Sequence, residues 1–176
     1  YFDNVVSLNH FDGVNGGVSS TDIKAGVSWA LNATRLSSDQ SKFGITSLKG
    51  NKGRADLTLP SVIGAGDFTI EFWVYPTAAS TEYFFSSPYV ANTWFTVGFD
   101  GAQKKFITFL AGLGKKVSAE TFDLNMWHHV AIVKTAGYSK FYVNGQNIAY
   151  STEPDTKAYA HTLLHIAGTS TSIAST

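Results

Sequence analysis

The chain of 176 residues carries 13 basic and 13 acidic side chains, no cysteine, and 44% hydrophobic against 15% charged residues. Balanced charge leaves no global field to draw a nucleic acid or an anionic membrane, and no run reaches the ~20 apolar residues of a membrane span. Lack of cysteine excludes a disulfide scaffold and thiolate-ligated metal centres; a chain of this length buries roughly 70% of its unfolded surface and needs neither.

In chain order, Val5–Phe11 is apolar enough for a strand before the turn residues Asp12-Gly13 and Gly16-Gly17. Val27–Leu36 is expected to hold another, and Ser47–Lys49 with Ala55–Leu59 reads as a short pair about Asn51–Gly53. The clearest strand is D-F-T-I-E-F-W-V-Y-P at Asp67–Pro76. Phe68, Ile70, Phe72 and Val74 fall on one face of it, and Thr69, Glu71, Trp73 and Tyr75 on the other. Pro76 closes it, because proline cannot donate to a ladder. Tyr83–Trp94 reads as a loop around Pro88. Thr93–Phe99 and Lys104–Ala111 flank Asp100-Gly101; then come Met126–Lys134, Lys140–Val143 and Gln146–Tyr150, the last two joined by Asn144-Gly145. Asn-Gly between alternating runs is a strong hairpin signal, since both residues accept positive φ. Trp94 to Tyr150 is therefore expected to form an antiparallel meander of about five strands. Thr162–Ala167 is a last strand, and no ten-residue window shows a capped helical stripe.

Many short strands separated by Gly, Asn and Asp turns predict an all-β, two-sheet antiparallel β-sandwich. No repeat, linker or charge run divides it, so residues 1–176 are read as one domain. The expected core includes Phe68, Ile70, Phe72, Val74, Val130, Ile132, Phe141 and Val143.

The sequence also carries an ordered set of motifs: H-F-D-G at His10–Gly13, S-K-F-G-I-T-S-L at Ser41–Leu48, Asp67–Pro76 as above, W-H-H-V-A at Trp127–Ala131 and F-Y-V-N-G at Phe141–Gly145. In this order and spacing, over roughly residues 4–168, the set resembles the laminin-G-like members of the concanavalin A-like jelly-roll superfamily. The opening Y-F-D-N-V-V-S-L-N-H-F-D-G is similar to modules of bacteriophage virion proteins and bacterial surface proteins. Members usually end with a further strand, carrying a G-x-I-D-like motif, beside the N-terminal one. Gly168–Thr176 reads G-T-S-T-S-I-A-S-T and lacks that motif. Without that strand a sheet edge would be exposed, so the chain, which opens on Tyr1, is expected to be a segment of a longer one that continues past Thr176. The alternative is that Ile173 and its neighbours form an abbreviated substitute.

Glycoside hydrolases in this superfamily set two carboxylates about 5–5.5 Å apart for retaining chemistry. The strand-borne E-x-D-x-x-E pattern that serves this purpose is absent, and Glu71 stands alone between Ile70 and Phe72. No G-x-S-x-G elbow, phosphate loop or dinucleotide fingerprint is present. His128 and His129 point to opposite faces of a strand, and His161 and His165 would lie ~13 Å apart on one, so neither pair chelates an ion. The resemblance makes His129 a structural, satisfied core position. The expectation is a protein without enzymatic activity that requires no cofactor.

Calcium is the one metal the resemblance suggests. Relatives hold Ca²⁺ near the chain ends, and Asp12 of H-F-D-G is the matching position, although the usual C-terminal acidic partner is missing. The alternative for Asp12 is a turn residue bonding its own backbone. Glycan is the expected partner, because saccharides stack on aromatic faces and bond a few fixed polar groups. Two sets could serve. One is Glu71, Trp73 and Tyr75, on a sheet face that in this fold can form a glycan groove. The other is Tyr89, Asn92 and Trp94, on the loop around Pro88. Against each stands packing: Trp73 under neighbouring loops, Tyr89 and Trp94 in the core or between subunits. The function expected is a surface or adhesion module of a virion fibre or decoration protein, or of a bacterial surface protein, located on the virion or outside the cell. Its rival is a structural module making contacts with other subunits. Neither reading involves nucleic acid or membrane insertion.

Overall fold

In the computed structural model, residues 2–24, 26–50, 53–90, 93–110, 114–166 and 172–174 are described. After a 3-10 turn at Phe2–Asn4 come β1 (Ser28–Asn32), β2 (Arg35–Ser37), β3 (Ser47–Lys49), β4 (Arg54–Thr58), β5 (Phe68–Tyr75), β6 (Thr81–Ser86) and β7 (Phe95–Asp100). They are followed by β8 (Lys105–Leu110), β9 (Gly114–Val117), β10 (His128–Thr135), β11 (Tyr138–Val143), β12 (Gln146–Tyr150), β13 (Leu163–Ile166) and β14 (Ser172–Ala174). One sheet runs β1-β4-β13-β6-β7-β8-β9 and the second β12-β11-β10-β5-β14-β3-β2, every pairing antiparallel. This is the predicted jelly-roll sandwich. Among the described residues no helix is long and apolar enough to cross a membrane.

Period-two patterning builds the interior. Phe72, Val74, Val130, Ile132, Phe141 and Val143 meet Phe84, Phe85, Phe95, Val97, Phe99 and Phe106 from the opposite sheet, all buried. Each such side chain contributes roughly 1.5–3 kcal/mol on burial. Phe68 and Ile70, also expected in the core, pack against it half-buried. The Asn144-Gly145 turn has positive φ at both residues (50° and 79°), as its hairpin requires.

Several expectations are corrected. Val5–Phe11 forms no strand, because local side chains take its main-chain groups. Leu8 N donates to Asp22, Phe11 N donates to Asn9 Oδ1, and Phe11 has a φ of 56°. Val27–Leu36 is two strands in different sheets, divided at Ala33, whose φ is 60°. Ser47–Lys49 and Ala55–Leu59 do not pair; β3 and β4 belong to opposite sheets. The expected meander divides likewise, β7-β8-β9 in the first sheet and β10-β11-β12 in the second. Part of the expected loop Tyr83–Trp94 is β6, whose bulge between Tyr83 and Phe85 obscures its alternation. The C-terminal stretch does contain a strand. β14 enters the second sheet between β5 and β3, with Ile173 opposite Val74 and Leu48.

Candidate functional site

Side chains directly opposite in antiparallel strands share a face, and this aligns one row across the outside of the first sheet. In order it holds Ala30, Asp56, His165, Ser86, Thr96, Phe109 and Lys115, from β1, β4, β13, β6, β7, β8 and β9. Asp56 anchors one end. Its Oδ1 lies 2.8 Å from His165 Nδ1 and accepts from Arg54 Nε at 2.9 Å, while Oδ2 accepts from Asn32 Nδ2 at 2.8 Å. The other end is aromatic. Trp94 stacks on Phe109 with centroids 4.0 Å apart and planes 6° from parallel. Tyr89 leans on Trp94 at 5.8 Å and is 77% exposed.

The loop that carries these rings is braced. Phe95 N donates to Ser87 Oγ at 3.0 Å, Thr93 N and Trp94 N both donate to Val90 O at 3.1 Å, and His161 Nε2 lies 2.9 Å from Thr93 O. Asn92, expected in the same set, lies outside the described residues.

Glu71, Trp73 and Tyr75 lie on the outer face of the second sheet, away from Tyr89 and Trp94. Their rings are occupied. Lys42 Nζ sits 3.8 Å over the Trp73 ring, with Phe43 at 6.2 Å and His129 at 5.2 Å, and Tyr75 packs on Trp127 at 5.4 Å. Glu71 Oε2 is 3.5 Å from His129 Nε2. The histidine expectation is thereby corrected by one position, because the register of β10 turns His128 inward with Val130 and Ile132. His128 is 2% exposed among Phe106 and Phe122, its Nε2 2.8 Å from Asp123 O and its Nδ1 3.2 Å from Asn144 Nδ2. Desolvation holds its pKa below the ordinary histidine value, partly opposed by the Asp123 carbonyl and charge.

A laminin G model of the concanavalin A-like lectin/glucanases superfamily matches residues 49–175. The chain belongs to this superfamily. No curated protein matches the sequence. Among solved structures it is similar to Trypanosoma rangeli sialidase in complex with sialic acid, at 13% identity and a TM-score of 0.68, covering 96% of this chain and 29% of that one. It is also similar to botulinum neurotoxin type C, which interacts with two ganglioside molecules, at 15% identity and a TM-score of 0.65, covering 97% and 46%. The binding domain of botulinum neurotoxin DC, in complex with rat synaptotagmin II, gives 14%, a TM-score of 0.66, and 97% and 46%. The chain thus spans under half the length of these proteins, and the likeness is one of fold.

Within the superfamily fold, Asp12 braces a loop. Its Oδ1 accepts from Ile45 N at 3.1 Å, and it lies where a side chain on Gly44, at φ 60°, would project. The bond reaches 33 residues along the chain, not into its own turn. Among the described residues no group of three His, Cys, Asp or Glu side chains could hold a metal ion. Calcium takes six to eight oxygens, of which Asp12 would supply one carboxylate whose Oδ1 already accepts from Ile45 N. Sequence reasoning missed Phe109 and the Asp56–His165–Ser86 part of the row. Phe109 alternates in phase with Ile107 and was legible as outward-facing, but the row exists only because β13 inserts between β4 and β6.

Proposed function

We propose that this chain is a non-catalytic carbohydrate-binding module whose site is the aromatic rim Tyr89–Trp94–Phe109 with the adjoining row on the first sheet. The observation that carries it is the Trp94–Phe109 stack with Tyr89 standing exposed beside it. Aromatic rings held rigidly at a surface bind the C–H faces of sugars at small entropic cost. Lys115, Ser86 and the half-buried His165 supply donors and acceptors for hydroxyls in the same row. Trp73 offers less, because Lys42, Phe43 and His129 already cover its ring. Binding of sialic acid by the sialidase and of gangliosides by the neurotoxin, proteins that share this fold over 29% and 46% of their chains, supports the ligand class.

The reading is non-catalytic because Asp56, the carboxylate of the row, is held by Arg54, Asn32 and His165 instead of facing a second acid at hydrolytic spacing. Its setting, in this proposal, is adhesion: a surface module of a virion or of a bacterial surface protein, working outside the cell without a required cofactor. The test is a glycan array followed by titration of the best ligand. Saturable binding that Tyr89→Ala and Trp94→Ala abolish, and Trp73→Ala leaves, is expected. Absence of binding to any glycan by a folded, symmetric oligomer would sink the proposal and favour a structural module; turnover of a polysaccharide would overturn its non-catalytic part.

A further inference from the structure

The outer face of the first sheet carries another half-exposed ring. Tyr83 of β6 is 51% exposed and lies opposite Gly98 of β7. Its ring comes so close that a Cβ on Gly98 would stand 2.7 Å from Cδ1 and 3.2 Å from Cε1. Glycine in a strand permits such an approach, and any other residue would push the ring away. Among the described residues no other ring and no cation covers Tyr83, in contrast to Trp73. Between Tyr83 and the aromatic rim the outward side chains are small or apolar. One row holds Ser86 and Thr96, and the next holds Gly98 opposite Ile107. Thr96 and Ile107 face outward yet are only 7% and 8% exposed, so larger neighbours stand over them. They form the floor of a shallow trough with Tyr83 at one end and the Trp94–Phe109 stack at the other.

We propose that Tyr83 is a second sugar platform of the same site, and that the ligand is a chain of pyranose units gripped at both ends of this trough. The inference rests on the rim Tyr89–Trp94–Phe109 as the first platform. Phe109 lies level with Thr96, and Tyr83 level with Gly98. Two strand spacings and two residues of rise therefore separate them, ~12 Å, a span of about three linked pyranose rings. A single terminal sugar cannot touch both. The rings take the C–H faces of the outer units. Thr96 Oγ1 donates to Phe85 O at 3.0 Å and keeps its lone pairs to accept from a hydroxyl of the middle unit. That middle unit is uncharged. Ser86, Thr96, Gly98 and Ile107 carry no charge, and a carboxylate or sulfate over them would lose its water without gaining a partner.

The probes are glucose, N-acetylglucosamine, galactose and xylose, each as a β-linked series of one to six units, titrated against the intact protein. In at least one series affinity is expected to rise about tenfold or more from one unit to three, then to level off. Tyr83→Ala should remove that gain, so that three units bind no better than one, and Tyr83→Phe should retain it. Thermal melting is the fold control. If Tyr83→Ala unfolds, Tyr83→Val keeps a β-branched cover over Gly98 without the ring and makes the same comparison. A residue that merely covers Gly98 would change melting without changing the dependence on chain length. Binding that Tyr89→Ala abolishes but that is equal for one unit and three would overturn this inference and leave the rim standing. A length-dependent gain that survives Tyr83→Ala would also overturn it. Absence of binding in every series would overturn this inference and the rim together.

Discussion

Tyr89 and Trp73 present the same kind of ring in opposite circumstances. Tyr89 projects from a braced loop with most of its surface free, and Trp73 lies beneath Lys42 and Phe43. Tyr89→Ala should therefore change stability by no more than about 0.5 kcal/mol, as at other exposed positions, while removing glycan binding. Trp73→Ala should cost about 2 kcal/mol through lost packing and leave binding intact. Urea denaturation together with glycan titration separates the two. His128 yields a pH prediction. Its folded pKa is depressed, so at low pH the unfolded state binds a proton that the folded state resists. Its contribution is present above the unfolded value near 6.5 and is lost as pH falls through the folded value. The melting temperature should drop between about pH 7 and 5, and His128→Gln should flatten that slope at the cost of a lower plateau.

At the scale of the element, legibility followed local cause. The inward face of β5 and the Asn144-Gly145 hairpin depend on near neighbours, and both were readable in the sequence. β6 was not, since its bulge places Phe84 and Phe85 both inside and breaks the alternation that marks a strand. That bulge sits beside a close approach. A Cβ at Gly98 of β7 would lie 2.5 Å from Glu82 O and 2.7 Å from Tyr83 Cδ1. Gly98→Ala should destabilise the protein by about 1–3 kcal/mol, as overpacking does, with a lowered urea midpoint as the measure. Since β6 and β7 carry Ser86 and Thr96 of the row, the same variant should also weaken glycan binding.

For the whole molecule, Asp22 fastens the N-terminal segment. Its carboxylate accepts from Ser7 Oγ, from Leu8 N at 3.0 Å, from Lys24 N at 2.8 Å and from Trp29 Nε1 at 2.9 Å. One side chain thus holds the Val5–Leu8 segment against β1, where a ladder would otherwise be needed. Asp22→Ala removes the acceptor of four part-buried donors, each bond contributing about 0.5–1.5 kcal/mol. It should expose Val5–Leu8 to proteolysis, seen as early cleavage there by limited digestion, while the Tyr89 rim still binds glycan. Unchanged protease resistance would show that the segment is held by other means.

The sequence alone determined the class of fold, most of the strands and the residues of the interior, because alternation and turn chemistry act over a few residues. It also named Tyr89 and Trp94. It did not choose between them and the Trp73 set, nor find Phe109, Asp56 and His165 as their neighbours, nor separate β3 from β4. Those outcomes depend on which strands lie side by side, and on which loop folds over which ring. Partners such as Asp56 and His165 are 109 residues apart. They meet only because β13 crosses back between β4 and β6, a pairing decided by the closing of two sheets on one core and by no local signal.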